Sequence, residues 1–423
     1  MTGPSPARGS RRLPSARFVV TMLFLVSVLN YVDRQVPFIL LESIKADLGL
    51  SDKQMGFLNG FTFSFIYSTV AIPIAILADR WSAKWVLSGG MILWCGLTTI
   101  AGFAQNFGQL VSSRMGVAVG EAASLPSSHA LISALVPPER RGTAISMVSL
   151  GVPVGAMVGL ALGGWLNDVA NWRIALILIG LPGVLFVLLF AWAIPDLRAP
   201  RQAPGKAYLL AGLKALASSR TMRHLIAGLS IQAIGQIAIF TFTAAFIIRS
   251  HGLTASEVGI TLGLTNGVSG IAALLLSGWA TDRAARRDPQ AMLLLPACTF
   301  LAMAPLLVAA YLAQDIAIAV PLLALVNFCA VFYLPPAFAT AQRLAPPEAR
   351  AQASALLVVG VSMVGGSIGP FLVGALSDAL EPNYGVEALR YSLCFTALPT
   401  LWGAVHLFLA SRTLSSDLVD HQS

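Results

Sequence analysis

The chain has 423 residues, of which 56% are hydrophobic and only 11% charged. Soluble domains carry about 25% charged residues, so this composition excludes a soluble fold and indicates a polytopic membrane protein. The net charge of +8 does not point to nucleic acid, because the basic residues fall in short loops on one side of the apolar segments.

Taken in order, apolar stretches lie near residues 18–41, 54–78, 85–104, 108–135, 143–167 and 174–194, then near 224–248, 257–281, 291–313, 316–343, 352–377 and 388–411. Each suits the roughly 20 residues that cross a bilayer as a helix. The expected fold is therefore an all-α membrane protein of twelve transmembrane helices. Its parts are a tail (1–17), a six-helix bundle (18–194), a linker (195–223), a second six-helix bundle (224–411) and a tail (412–423). The first stretch follows basic residues, as a signal peptide does, but it is longer, contains Asp33 and Arg34 and lacks a small-x-small cleavage site. It is read as an uncleaved span. Loop lysines and arginines number twenty on the side of the N-terminus and five on the other, which predicts a plasma (inner) membrane protein with both termini cytoplasmic. Within the linker, Gly205 to Ser218 has the pattern of a short surface helix, although a plain tether explains it equally.

The halves repeat one another. Pro137-Pro138-Glu139-Arg140-Arg141 precedes span five and Pro346-Pro347-Glu348-Ala349-Arg350 precedes span eleven; Gly151 and Gly360 keep the same offset of 209. Ala75-x-x-x-Asp79-Arg80-x-x-x-Lys84 follows span two, and Gly278-x-x-x-Asp282-Arg283-x-x-Arg286-Arg287 follows span eight. Six-span repeats meeting at a midplane site are the plan of secondary transporters.

These Asp-Arg loops resemble the signature of the major facilitator superfamily, with Ala75, Ser82 and Ala83 departing from it. Asn30-Tyr31-x-Asp33-Arg34 in span one, with Arg114 and Gly120-Glu121 in span four, resembles the spinster family, which includes animal sphingosine-1-phosphate and lysophospholipid carriers. Bacterial carriers of sugar acids share part of the pattern. The resemblance implies two pseudo-symmetric bundles working by alternating access.

Four ionisable groups lie deep in apolar runs, where each costs several kcal/mol unless it faces a cavity or a partner. Arg114 and Glu121 are two turns apart on one face, about 10 Å along the axis, too far to pair with each other. Asp33 and Arg34 point about 100° apart, so they are poor partners too. The expected arrangement is crossed, Asp33 with Arg114 and Arg34 with Glu121. A carboxylate in such a cavity stays charged while a cation stands beside it, so Asp33 and Glu121 are candidate proton-coupling sites. Arg34 and Arg114, whose guanidinium groups match phosphate or carboxylate, are candidates for the anionic head group, with Asn30 and Tyr31 beside them. A purely structural ion network is the competing reading, but buried ion pairs stabilise poorly compared with apolar packing. The second half has no intramembrane acid; its deep polar residues are Gln232, Gln236, Thr265, Asn266, Asn327 and Tyr333. Of these, Gln232, Gln236, Asn327 and Tyr333 are candidate substrate contacts, although interhelical hydrogen bonding is the commoner role for any one of them. Asp79, Arg80, Lys84, Asp282 and Arg283 are expected gating residues.

The four cysteines have no metal-type spacing, and no His-Glu-x-x-His, Walker-type loop or Gly-x-Ser-x-Gly occurs. No enzyme activity, metal or cofactor is expected. The expectation is a monomeric, proton-coupled carrier of an amphipathic anion of the lysophospholipid or sphingosine-phosphate type. The alternatives are a carrier of sugar acids or drugs, and a passive lipid scramblase or receptor.

Overall fold

Backbone N–H and C=O groups have no water to bond in lipid, so a spanning chain must satisfy them internally. The computed structural model does so with helices. It describes residues 15–196, 219–345 and 350–420, without the side chains of 79, 287, 350, 351, 419 and 420, and every element among these residues is helical. The proposed linker helix at 205–218 and the Pro-Pro-Glu motif at 346–348 lie outside the described residues.

In the first half, span one is Ala16–Ile39, span two Asp52–Asn59 and Phe61–Arg80, and span three Ala83–Ala101. Span four is Phe107–Glu121 and Ser124–Leu135, span five Arg141–Ser149 and Gly151–Val169, and span six Trp172–Ala193. In the second half, span seven is Arg220–His251, span eight Ala255–Arg287 and span nine Ala291–Leu312. Span ten is Ile316–Phe332 and Leu334–Leu344. Span eleven is Arg350–Gly360, a π-helical turn Val361–Gly366 and Ser367–Tyr384; span twelve is Ala388–Cys394 and Ala397–Asp420. Ten stretches are long and apolar enough to cross a membrane. The last of them, Gln352–Leu418, reverses at Gly385 (φ 54°) and so crosses twice. Span four completes the twelve, its helix being interrupted at Ala122-Ala123 directly after Glu121. Span seven begins four residues before the expected edge, and span twelve continues helical through most of the predicted C-terminal tail.

Polar caps set the helix starts. Side chains of Ser82, Asn106, Asn171, Ser219 and Asp315 accept from N–H groups of the first turn, which satisfies donors the helix itself leaves free. Full capping boxes open spans two (Ser51/Gln54) and eight (Thr254/Glu257), which are counterparts in the two halves. Outward faces stay apolar, with Leu188, Leu275 and Trp192 well exposed, as a lipid boundary requires.

The halves meet along two seams, span five with span eight and span two with span eleven. Both rest on glycine. A Cβ on Gly164 would collide with the Ala255 carbonyl, and one on Gly374 with the Asp52 carbonyl, so only glycine permits these approaches. Both contacts lie toward the face opposite the termini. Near the terminal face, Ser124–Leu135, Arg141–Ser149, Leu334–Leu344 and Arg350–Gly360 pack mainly within their own halves, and Gly278 faces open space. The molecule is closed at the opposite face and parted at the terminal one.

Candidate functional site

The four charges sit inside the first half, three of them buried and Arg34 partly exposed. Arg34 reaches from span one to span four, its Nη2 and Nε donating to Glu121 Oε2 at 2.6 and 3.0 Å. Arg114 Nη1 lies 4.0 Å from Asp33 Oδ2, a looser pair. The crossed arrangement expected from helical spacing is the one observed. Span two supplies what the sequence did not reveal. The Phe63 ring stands between the two cations, 5.0 Å from the Arg34 guanidinium and 4.5 Å from that of Arg114. Tyr31 and Tyr67 add rings at 5.1 and 5.0 Å from Arg34, and Phe63 stacks on Tyr67. Arg34 is thus caged by three aromatic faces, a geometry that attracts cations most where water is excluded.

Exposure separates the roles. The side chain of Arg34 is 23% exposed, against 8% for Arg114, 4% for Asp33 and 0% for Glu121. Of the four, Arg34 is the most exposed, while Arg114 lines a cavity within its own bundle. Asn30 is buried nearby, and its Nδ2 finds no hydrogen-bond acceptor among the described residues.

Facing the second half is a narrow cavity with an empty volume of about 550 Å³. Its polar corners are Gln35, Gln236, Thr243, Asn266 and Asn327, and apolar side chains, among them Ile239, Phe240, Leu262 and Val326, make most of the wall. Gln236 donates to the Ala330 carbonyl, while Asn327 donates to Asn266 O and Ser269 Oγ, so both line the cavity and tie helices together. Gln232 and Tyr333 are elsewhere. Gln232 is fully buried, with its Cβ close beside Gly403 of span twelve, and Tyr333 packs edge-on against Phe300 at the break in span ten.

The gating candidates occupy the terminal face. Arg80, Asp282 and Arg283 are exposed, and Arg283 lies over Trp279 at 5.9 Å. Lys84 is buried, with its ammonium over Trp85 at 4.6 Å. Ser82, which departs from the family pattern, caps span three and donates to Asp196 at 2.6 Å. The side chain of Asp79 lies outside the described residues.

A second charge cluster, which sequence reasoning missed, closes the opposite face. Arg249 of span seven donates to both carboxylate oxygens of Glu42, at 2.7 and 2.6 Å, and to both of Asp52, at 2.7 and 2.5 Å. Lys45 and Ser377 also donate to Asp52, each at 2.7 Å. Asp378 of span eleven accepts from the backbone N–H groups of Asp52 and Lys53, and Asp168 of span five accepts from that of Ser256. Each carboxylate caps the first turn of a helix in the other half, where the helix dipole favours negative charge. The two caps are counterparts. An offset of 210 relates Asp168 to Asp378 and Gly164 to Gly374, and one of 203 relates Ser256 to Lys53 and Ala255 to Asp52.

Comparison with known proteins agrees with this architecture. Residues 23–370 match the Major Facilitator Superfamily. The chain is 35% identical to an MFS-type efflux pump of Mycolicibacterium smegmatis, over 99% of this chain and 97% of that one. It is 26% identical to protein spinster of Drosophila melanogaster, over 89% of this chain and 64% of that longer protein. A crystal structure of a bacterial homologue of the human lysosomal transporter spinster, inward-facing and unoccupied, superposes with a TM-score of 0.88 at 26% identity, covering 97% and 99% of the two chains. The protein belongs to the major facilitator superfamily and is a spinster-like transporter within it.

Proposed function

We propose that this transporter is proton-coupled and moves an amphipathic organic anion, of the lysophospholipid or sphingosine-phosphate type, by alternating access. The observation that carries the reading is the pairing of a partly exposed, caged arginine with a mostly apolar cavity. Arg34 offers a bidentate cation for a phosphate or carboxylate, and the wall from Ile239 to Val326 suits an apolar tail. A sugar acid would need more hydrogen-bonding groups than Gln35, Gln236, Thr243, Asn266 and Asn327 supply. Binding of the anion at Arg34 competes with Glu121 for the same donors, and a carboxylate that loses its cation in a low-dielectric site takes up a proton. This exchange links substrate to proton. Asp33 and Glu121 are the proton-coupling groups, and Asp79, Arg80, Lys84, Asp282 and Arg283 form the gate that engages when the terminal face closes.

Both termini are assigned to the cytoplasm of a plasma (inner) membrane protein, from the twenty-to-five imbalance of basic residues, so the present state is inward-facing. A second reading, extrusion of amphipathic drugs, is favoured by the efflux pump that matches over nearly the whole chain. Proteoliposome uptake tests both. A pH gradient drives accumulation of lysolipid in the parent, and Glu121→Gln and Asp33→Asn abolish that response while retaining binding. Flux that ignores the gradient refutes proton coupling. Accumulation of cationic drugs but not lysolipids replaces the anion reading with the second.

A further inference from the structure

A cavity inside the first half, distinct from the one between the halves, has an empty volume of about 400 Å³. Asp33 and Arg114 line its inner end, Thr98 and Ser113 its sides, and Ala101, Leu110 and Leu176 its outer end. The outer end is shallow. Ala101 is the last residue of span three, while Leu110 and Leu176 lie in the first turns of spans four and six, at the face opposite the termini. The inner end is polar and unsatisfied. Asp33 and Arg114 are 4% and 7% exposed, and Asp33 Oδ2, Arg114 Nε and Arg114 Nη2 make no hydrogen bond among the described residues. Buried polar atoms are hydrogen-bonded to protein or to ordered water, and the space beside this polar end, within otherwise mostly apolar walls, has room for a water.

We propose that this cavity is the proton inlet of the transporter: a hydrated file from the opposite face to Asp33, separate from the cavity between the halves. The proposal rests on the proton-coupled reading above. Proton and substrate then reach the coupled charge pairs by different doors. The charges facing Asp33 are Arg114 and Glu121 of span four, with Arg34 beyond Glu121; spans two, three and six bring none to the cavity. The fixed cation of Arg114 at the inner end opposes free passage of protons into the substrate cavity, as arginines do in proton-excluding pores. Uncoupled leak is thereby suppressed. Among the described residues, Thr98 and Ser113 supply the side-chain hydroxyls lining the file, and Ser113 already spends its donor on the Leu97 carbonyl.

The test uses the full chain with its four cysteines replaced and Ser113→Cys added, in sealed vesicles of known orientation and chloride-free buffer. Silver ion, similar in size to water, is applied from either side, and the remaining thiol is counted by alkylation after denaturation. The expected result is protection at least tenfold faster from the side opposite the termini, slowed at least tenfold by Ala101→Leu, or by Ala101→Val should the larger variant fail to assemble. The same filled variant should slow gradient-driven uptake at least fivefold and alter proton-independent exchange less than twofold. Protection from the terminal side alone, equally from both sides, or not at all overturns the inlet. Silver access from the opposite side combined with uptake that ignores the gradient refutes the coupling reading, and with it the role given to the cavity. Gradient-driven uptake without silver access refutes the inlet alone.

Discussion

Arg249→Gln should release the closure of the opposite face. Arg249 is the one cation that spans seven and eight contribute to the cluster, and it meets Glu42 and Asp52 with two donor pairs each. Stripping one partner from a fully buried pair costs about 3–5 kcal/mol, whereas an exposed pair is worth about 0–1 kcal/mol. The side chain of Arg249 is 12% exposed, that of Asp52 3% and that of Glu42 21%, which places the cluster near the buried limit. Asp52 nevertheless keeps Lys45 and Ser377 in the mutant, so about 2–3 kcal/mol is a better figure. That shifts the closed-to-open ratio by roughly 30- to 150-fold at about 1.4 kcal/mol per decade. Spin labels at Ala46 and Glu257, both exposed and on opposite halves, report the change as a longer distance component by double electron–electron resonance. An unchanged distribution would show that the glycine seams alone hold this face shut.

Three further outcomes follow from the same geometry. Arg34→Lys keeps the charge but loses the bidentate contact and most of the ring stacking; gradient-driven uptake should fall at least tenfold, with Tm lowered by no more than about 3 °C. Phe63→Leu removes two cation–π contacts worth about 0.5–2 kcal/mol each, and calorimetric titration should register roughly tenfold weaker substrate binding. Gly164→Val drives a branched side chain into the Ala255 carbonyl and should open the Ala46–Glu257 distance as Arg249→Gln does, while a normal distance would mean that the seam tolerates displacement.

The fold and the crossed charge pairs were legible because both follow from simple periodicities. Twenty-residue apolar runs read as spans, and seven residues on a helix bring Arg114 and Glu121 to one face. Phe63 and Tyr67 were not legible. Span two carries aromatics at Phe57, Phe61, Phe63, Phe65 and Tyr67, and nothing in that series marks which face turns toward Arg34. Gln232 and Gln236 share a helix face by spacing, yet span twelve covers the first and leaves the second on the cavity. Arg249 reads as an ordinary loop charge and nothing in the sequence links it to Glu42 and Asp52, because only the tertiary fold brings residues some 200 positions apart together. The Asp168 and Asp378 caps had a usable signal, since equivalent carboxylates end spans five and eleven.

The repeat is strict enough that its one slip is informative. Gly151 and Gly360 differ by 209 positions and meet Ser27 and Ser230 in the first spans of their halves, whereas Gly164 and Gly374 differ by 210. One residue has therefore been inserted into span eleven between these points. The π-helical turn Val361–Gly366 lies in that interval, and a π-bulge is how a helix takes in one extra residue without losing its ends. Gly366 of this turn lies against Ser64 of span two, the residue that follows Phe63 in the chain. The scaffold is thus doubled, with seams, capping boxes and carboxylate caps in both halves, while the chemistry is single: charges in the first half, and an apolar wall with an altered helix in the second. On the proposed reading, an anion drawn to Arg34 would meet two unlike surfaces, and an amphiphile, with one charged end and one apolar end, is the shape that would satisfy both.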